Sequence, residues 1–236
     1  FLGNADVRHD FQPRDDRELQ AFRRCIHLKQ HAVDPVAHPE APFPVAGRIE
    51  IDGRSVKPPR RCYLMLNKPR GLVTSAQDEH GRDTVYRCLD GLDLPWVAPV
   101  GRLDKASEGL LLFTNDPQWA ARITDPSTGP DKTYHVQVDC IPDEAALRAM
   151  RAGVECDGIL LAVKSASLLR AGGKHAWLEI VLDEGRNRQI RRLLEVLEIG
   201  VLRLLRVAIG TLHLGELPKG QWRELTAEEA GSLSQV

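Results

Sequence analysis

The sequence predicts an α+β protein with a small irregular N-terminal extension, because strand-like and helix-like hydrophobic patterns alternate along most of its length. Leu110–Phe113 is a short apolar run between Gly109 and Asn-Asp-Pro, which fits a strand buried on both faces. Lys132–Val138 alternates polar and apolar residues like a half-buried strand. After Gly185, apolar residues recur at the i, i+3, i+4, i+7 spacing of a helix.

Length and composition fit one large domain, or one domain with a small partner: the chain has 236 residues, of which 42% are hydrophobic. The five cysteines are scattered without a Cys-x-x-Cys pair, which favours free thiols, a reducing cytoplasm and no zinc site. No apolar stretch approaches the ~18 residues of a membrane span, and Phe1–Asn4 does not begin a signal peptide. We therefore expect a cytoplasmic, monomeric protein without membrane contact.

The N-terminal segment is the least readable part of the chain. Asp10–Lys29 is rich in charge and could form a helix, whereas four prolines between His31 and Pro44 indicate an extended arm. Further on, Ile49–Ile51 and Arg54–Val56 flank an Asp-Gly pair, which predicts a hairpin.

Later elements follow from local signals. The patterns predict strands at 63–66, 72–75, 96–100, 163–169 and 177–182, a strand pair over 201–214, and helices at 83–90, 116–123, 143–153 and 186–200. Asp116 and Thr226 are expected as helix N-caps, and Gly200 as the C-terminal glycine of the helix that follows Gly185.

Arg102, Asp104, Lys105 and Glu108 lie on a short polar loop directly before the buried strand that begins near Gly109. Loops held by a rigid sheet often present functional groups. An aspartate in a glycine-bounded loop is more often a turn former, so this pattern alone leaves both interpretations open.

Four motifs in chain order resemble the RsuA-type pseudouridine synthases that modify bacterial ribosomal RNA. They are Asn67–Gly71 (Asn-Lys-Pro-Arg-Gly), Gly101–Asp104 (Gly-Arg-Leu-Asp) with Ser107–Leu110, Lys132–Val138 with its Lys-Thr-Tyr start, and Asp183–Leu194, with a similar closing segment at Pro218–Leu225. The resemblance implies a mixed, mainly antiparallel central sheet flanked by helices. It also implies a catalytic domain over residues 61–236, preceded by an arm over 1–60 that resembles at most part of an S4-type RNA-binding module.

The resemblance implies that Asp104 is the catalytic aspartate, as nucleophile or base, that Tyr134 stacks on the target base, and that Arg191 pairs with Asp104. Helix geometry agrees for Arg191, which lies about 110° from the centre of the apolar face, whereas Arg188 and Arg192 lie about 150–170° away and are expected to point outward. Without the family, Tyr134 would be interpreted as an ordinary core tyrosine.

The remaining candidate residues are basic. By the same resemblance Arg102 fills the space left by a flipped base. We also predict that Arg186 and Arg188 hold the RNA backbone. A basic cluster surrounds the hairpin and includes Arg54, Arg60, Arg61 and Lys68. We predict that this cluster contacts RNA phosphates, although such a run is often only a solvated face and Lys68 could simply belong to a structural hairpin.

The function implied is conversion of one uridine of ribosomal RNA to pseudouridine, with 23S favoured over 16S because of the Glu-Gly-Arg-Asn-Arg form of the fourth motif. The reaction needs no redox cofactor or group donor, and the chain has no nucleotide-binding glycine loop or metal-ligand cluster. Two alternatives remain at this point: a non-catalytic RNA-binding or ribosome-assembly factor on the same fold, and a glycoside hydrolase that uses Asp104 and Glu108 as a carboxylate pair.

Overall fold

The computed structural model describes residues 49–51, 54–56, 60–76, 78–91 and 93–233. The chain divides into two compact units, Phe1–Lys57 and Pro58–Val236. In the first unit, β1 (Ile49–Ile51) pairs antiparallel with β2 (Arg54–Val56), as the hairpin pattern predicts. The predicted helix at Asp10–Lys29 and the proline-rich arm lie outside the described residues, so the extent of any S4-like module stays a prediction.

The second unit contains eleven described strands and four α-helices. The strands are β3 (Tyr63–Lys68), β4 (Ala98–Val100), β5 (Glu108–Thr114), β6 (Lys132–Val138), β7 (Val154–Cys156), β8 (Ile159–Leu161), β9 (Ser165–Gly172), β10 (His175–Leu182), β11 (Val201–Ile209), β12 (Leu212–His213) and β13 (Trp222–Glu224). The helices are α1 (Pro117–Thr124), α2 (Glu144–Ala152), α3 (Gln189–Val196) and α4 (Ala227–Ser232), with a 3-10 helix at Val85–Leu89.

Nine strands form one mixed sheet in the order β13-β3-β5-β11-β6-β10-β9, with β4 also paired to β5 and β12 to β11. Within the described part of this sheet, the β5–β11 pair is parallel and the other strand pairs are antiparallel. The predicted mixed, mainly antiparallel sheet is therefore confirmed. The parallel pair joins a half built on β3 and β5 to a half built on β11, β6 and β10.

β5 is buried along its whole length, because apolar residues cover both of its faces. On one face Leu110 and Leu112 pack with Trp119 of α1. On the other face Leu111 and Phe113 belong to the cluster that contains the 3-10 helix. The other half of the sheet has its own core, in which residues of β6 and β10 pack against α2 and α3. The prediction of a strand buried on both faces is confirmed.

The predicted helix caps are also present. The carboxylate of Asp116 accepts hydrogen bonds from the backbone N–H groups of Gln118 and Trp119, with Pro117 at the first helical position. Thr226 and Glu229 form a reciprocal capping box at the start of α4. Both caps are local interactions, which is why sequence spacing was sufficient to locate them.

Two local predictions are wrong. Residues 72–75 do not form a strand; Val73 makes only an isolated bridge to Thr84, because β3 pairs with β5 and β13 instead. Gly200 does not end α3, which stops at Val196. The role of Gly200 is close packing: its N–H donates to Asp139 Oδ1, and an added Cβ would lie 2.2 Å from Asp139 Oδ2.

Gly109 is the glycine on which the parallel junction depends. Its φ is +100°, and a Cβ would lie 2.3 Å from the carbonyl oxygen of Arg206 on β11. Gly71 has a nearly identical φ of +102°, but a Cβ added there would have no atom within 4 Å. The two glycines therefore share the same backbone strain on substitution and differ only in steric clash.

We expect Gly109→Ala to lower the free energy of unfolding by about 2–4 kcal/mol, because overpacking adds to the cost of a positive φ. The matched control Gly71→Ala should cost only about 1 kcal/mol. Urea unfolding of both variants measures the difference. Equal losses would show that β5 and β11 tolerate separation at this point.

Candidate active site

A cavity of about 590 Å³ lies where the two halves of the sheet meet. Its walls come from the 101–107 loop, β6, β11 and the segment that leads into α3. The charged residues that line it are Arg102, Asp104, Asp125, Lys132, Glu184, Arg186, Arg188, Arg191 and Arg206. Six of these are basic and three acidic, so the cavity offers a positively charged environment suited to an anionic or carbonyl-rich ligand.

The 101–107 loop is anchored by the segment that follows β3. The hydroxyl of Thr74 donates to the carbonyl of Leu103 over 2.7 Å, and the N–H of Gly71 donates to the carbonyl of Lys105 over 2.8 Å. Within the loop, the N–H of Ser107 donates to the carbonyl of Asp104 over 2.9 Å. These bonds hold the Asp104 backbone in place on both sides of the residue.

Lys68 adds a charged anchor beneath the same loop. Its side chain is fully buried, and Nζ donates to the carbonyls of Pro69, Asp104 and Ser107 at 3.1, 3.2 and 2.9 Å. Burial lowers the pKa of Lys68 to about 8, although the carboxylates of Asp104 and Glu108 partly oppose the shift. The prediction that Lys68 contacts RNA is therefore wrong, because the folded loop encloses its ammonium group.

Asp104 faces two guanidinium groups across the cavity and remains one-third exposed, at 34%. Nη1 of Arg188 lies 3.4 Å from Asp104 Oδ2, and Nε of Arg191 lies 4.0 Å from the same oxygen. Arg191 points inward, as its helix position predicts, and its Nη2 donates to the carbonyl of Ala106 over 3.2 Å. Arg191 thus contacts both the loop and the carboxylate that the loop carries.

Arg188 does not point outward as predicted. It is the residue before α3 and has a left-handed backbone with φ 50°, so the 100° rotation per residue of an ideal helix does not apply to it. The left-handed turn carries its side chain to Asp104. Arg192 is within the helix and does lie away from the cavity, where it pairs with Asp157 at 2.9 Å.

Arg191 is poorly neutralised for a buried cation. Its side chain is 15% exposed, and within the described residues its buried Nε has no hydrogen-bond partner. Burial lowers the pKa of Arg191, and the neighbouring Arg188 and Arg70 lower it further, while Asp104 raises it. The positive charge of Arg191 is therefore only partly neutralised by its neighbours. Its Nε–H group, which faces Asp104, has no hydrogen-bond acceptor among the described residues.

Tyr134 and the rim arginines complete the predicted set. Tyr134 is half-buried on β6 and lines the cavity. Arg102 is exposed on the same loop as Asp104. Arg186 is at the rim, where its Nε pairs with Glu184 at 2.8 Å. The structure thus brings Arg102, Asp104, Tyr134, Arg186, Arg188 and Arg191 to one cavity.

Two basic residues of the cavity, Lys132 and Arg206, were not predicted as functional. Burial lowers the pKa of Lys132, and Arg206 lowers it further, while Asp131 and Asp183 oppose the shift. Lys132 lies two residues before Tyr134, so strand alternation could have placed it on the same face. Arg206 interrupts the apolar sequence of β11, and a charged residue within a buried strand was the available signal.

Arg60 and Arg61 of the predicted basic cluster do not line this cavity. Arg60 pairs with Glu224 at 2.6 Å, and Arg61 pairs with Asp116 at 2.9 Å. Both line a different cavity of about 450 Å³ that shares no lining residue with the first. Both arginines are about 70% exposed, so phosphate contacts by Arg60 and Arg61 stay a prediction; the side chain of Arg54 lies outside the described residues.

Glu108 is unsuited to form a catalytic carboxylate pair with Asp104. Its side chain is 3% exposed, and its two oxygens lie 3.2 Å from Nε and Nη2 of Arg203. Nζ of Lys219 also contacts Oε2. Burial alone would raise the pKa of Glu108, but the hydrogen bonds from Arg203 and Lys219 lower it. The general acid of a glycoside hydrolase needs a raised pKa, so an enclosed carboxylate with a lowered pKa is unsuited to that role.

The described residues contain no group of three or more His, Cys, Asp or Glu side chains that could hold a metal ion. Over the same residues, no helix is long and apolar enough to cross a lipid bilayer.

Comparison with known proteins gives a consistent result. Residues 62–196 match the family model described as RNA pseudouridylate synthase. The chain is 38% identical over 187 residues to an uncharacterized RNA pseudouridine synthase of Aquifex aeolicus, covering 78% of this chain and 74% of that protein. It is 36% identical over 188 residues to ribosomal large subunit pseudouridine synthase B of Bacillus subtilis, covering 79% and 77%.

A solved structure agrees with these relatives. A crystal structure of a pseudouridylate synthase superposes with a TM-score of 0.66 at 34% identity, over 74% of each chain. The four predicted motifs fall inside the matched region of the family model, and the closing segment lies beyond it.

The burial of Lys68 predicts a specific pH dependence of stability. Folded Lys68 loses its proton near pH 8, whereas the unfolded chain keeps it to about pH 10.5, so the unfolded state binds more protons in this window. Stability from this group therefore rises with pH from about 8 to 10.5, by at most about 1.4 kcal/mol per pH unit. Urea unfolding at several pH values should show the wild type gaining stability relative to Lys68→Met across the window.

Lys105→Met is the matched control, since it removes an exposed lysine of the same loop. Its stability should follow that of the wild type at each pH. If the curves for wild type and Lys68→Met run parallel, the buried ammonium group does not titrate as the structure requires.

Proposed function

The chain belongs to the RNA pseudouridylate synthase family, and on that premise we propose that it converts a uridine of large-subunit ribosomal RNA to pseudouridine. The choice of 23S over 16S is supported by the name of the Bacillus subtilis relative and by the Glu-Gly-Arg-Asn-Arg form of residues 184–188. The positive lining of the cavity is suited to a polyanionic substrate.

The observation that carries the proposal is the position of Asp104 relative to the other carboxylates of the cavity. Asp125 accepts hydrogen bonds from the N–H groups of Ser127 and Thr128, and so stabilises a turn. Glu184 accepts from the side chains of Arg186 and Gln189. The Asp104 carboxylate instead faces Arg188 and Arg191 across the cavity, which leaves it available to a substrate.

The chemistry needs one ionised carboxylate beside the sugar. The C1′–N1 bond breaks, the uracil rotates, C5 forms a bond to C1′, and the hydrogen on C5 is released while N1 takes up a proton. Asp104 acts on the sugar as nucleophile or base, and both roles require its charged form. Two nearby guanidinium groups orient the carboxylate by charge-assisted contacts.

A stacked uridine must leave the RNA helix to reach this carboxylate, at a cost of a few kcal/mol. Tyr134 would stack on the flipped ring inside the cavity. The exposed Arg102 would occupy the space that the base leaves in the RNA. Arg186 and Arg188, at the cavity rim, would contact phosphates, which contributes affinity without reading sequence.

The alternative is a non-catalytic ribosomal RNA-binding or assembly factor on the same fold. Such a protein would use the basic surface but would have no need of an accessible carboxylate held between two arginines. Activity on RNA therefore separates the two functions.

We expect the wild-type protein to introduce pseudouridine at one position of a 23S transcript and none in 16S, and Asp104→Asn to introduce none. Asparagine keeps the shape of Asp104 but removes the charge that the reaction needs, so RNA affinity should stay within about threefold. Pseudouridine mapping identifies the site, and tritium release from 5-tritiated uridine gives the rate.

Asp125→Asn is the matched control, because it neutralises another carboxylate of the cavity and keeps an acceptor oxygen for the turn. It should retain activity. Tritium release by Asp104→Asn near the wild-type rate would make the catalytic assignment wrong. RNA binding without pseudouridine in either transcript would favour the assembly-factor alternative.

Arg191 and Arg188 should differ in their effects. Arg191→Ala removes a buried contact to both Asp104 and the Ala106 carbonyl, and should slow single-turnover conversion by about 10- to 100-fold. Arg188 is half exposed, so solvent screens its charge and Arg188→Ala should slow conversion by less than about tenfold. Rates at saturating RNA measure both; a larger effect at Arg188 would reverse the assignment of the principal partner.

A further inference from the structure

Arg206 has more hydrogen-bonding capacity than the protein uses. The residue is 5% exposed on β11, and its Nε donates to the carbonyl of Leu110 over 2.8 Å. Within the described residues its terminal nitrogen Nη2 is buried and has no hydrogen-bond partner. Burial of a cation with unpaired N–H groups is costly. An arginine that lines a cavity in this state therefore suggests that a ligand accepts a hydrogen bond from it.

The strand register places this cation beside the predicted base-stacking residue. Arg206 is opposite Tyr134 in the antiparallel β11–β6 pair and opposite Gly109 in the parallel β11–β5 pair. Residues directly opposite each other across a strand pair have Cβ atoms about 4.5–5.5 Å apart. Arg206 also lines the cavity that contains Asp104, so the guanidinium belongs to the same enclosed space.

Depth in the cavity decides which part of a nucleotide Arg206 can reach. The side chains of Arg186 and Arg188 are 46% and 50% exposed at the rim, where the RNA backbone would pass. Arg206 is buried, lines the same cavity and is the strand partner of Tyr134, so we infer that it reaches the base rather than the backbone phosphates. A flipped uracil that stacks on Tyr134 presents two carbonyl oxygens there, and these are acceptors that a guanidinium can satisfy.

We propose that Arg206 donates a hydrogen bond from a terminal nitrogen to a carbonyl oxygen of the flipped uracil, and that this contact strengthens as the C1′–N1 bond breaks. The inference rests on the proposed function. When the bond breaks, its electron pair stays with the uracil, and the negative charge spreads from N1 to the carbonyl oxygens. Formation of the C5–C1′ bond and loss of the C5 proton then restore a neutral ring, with N1 protonated.

A fixed cation at the carbonyl lowers the free energy of the charged state more than that of the neutral uridine, which is the condition for catalysis. Lys132 adds a second positive charge near Arg206, as their mutual electrostatic effect indicates. The arrangement also explains why a hydrogen-bonding arginine, and not an apolar residue, occupies a buried position in the centre of the sheet.

The test combines substitution of Arg206 with substitution of the oxygen it would contact. RNA fragments that contain the mapped target carry uridine, 2-thiouridine or 4-thiouridine at that position, because sulfur is a much weaker hydrogen-bond acceptor than oxygen. Wild type, Arg206→Lys and Arg206→Met react with each fragment under single-turnover conditions. Arg170→Met is the control, since Arg170 stacks on Trp177 and does not line the cavity.

We expect Arg206→Met to slow conversion of the uridine fragment by about 10- to 100-fold, the size of one lost charge-assisted hydrogen bond, with RNA affinity within about threefold of wild type. Arg206→Lys should recover part of the rate. One of the two thio substitutions should slow the wild type and the Arg170→Met control but have little further effect on Arg206→Met. Such non-additivity marks a direct contact, which a merely structural role for Arg206 would not produce.

Equal thio effects in wild type and Arg206→Met would overturn the inference and leave the proposed function intact. A rate for Arg206→Met near that of wild type would do the same. Failure of the wild type to form pseudouridine in any fragment or transcript would instead reject the proposed function, and the role of Arg206 with it. Circular dichroism and urea unfolding confirm that each variant is folded before its rate is compared.

Discussion

The close approach of β5 to β11 at Gly109 and Arg206 is the contact on which the rest of the structure depends. It is the parallel junction between two antiparallel halves, and one hydrophobic cluster, which contains Leu110 of β5 and Ile209 of β11, crosses it. A side chain at position 109 would meet the backbone of Arg206, so glycine allows the two strands to approach this closely. Since the 101–107 loop leads directly into β5, the same contact helps to bring Asp104 to the cavity that residues of β11 also line. The absence of a side chain at position 109 is thus needed both for the pairing of β5 with β11 and for the position of the loop that carries Asp104.

The charged side chains in and around the site differ in how deeply they are buried. Exposed arginines surround the cavity mouth, Asp104 and Arg191 lie at intermediate depth, and Lys68 and Arg206 are buried. The two buried cations differ in how they are satisfied. Lys68 uses its three N–H groups on backbone carbonyls and so stabilises the loop, whereas among the described residues Nη2 of Arg206 has no partner. Burial of Lys68 is explained by its bonds to the loop. Burial of Arg206 is explained by the uracil carbonyl that we propose as its ligand.

The two carboxylates of the signature loop show how environment separates residues of the same type. Glu108 begins β5 and is enclosed by Arg203 and Lys219, so its negative charge is balanced by these two cations at the junction between the sheet halves. Asp104 is only four residues earlier, but it precedes the strand and stays accessible beside Arg188 and Arg191. Their chemical type and spacing allow either to be reactive. Because Glu108 is buried and ion-paired, only Asp104 of the two is accessible to a substrate.

By itself, the sequence determined those features that depend on local physics. The caps at Asp116 and Thr226, the alternation of β6 and the apolar run of β5 were all predicted, because each arises from neighbours within a few residues. The motif order was likewise sufficient to identify the family and to name six residues that line the cavity. Only the tertiary structure decided the enclosure of Lys68, the turn of Arg188 toward Asp104 and, among the described residues, the lack of a partner for Nη2 of Arg206. Each of these depends on contacts between segments more than 30 residues apart, or on a left-handed backbone that helix periodicity does not encode.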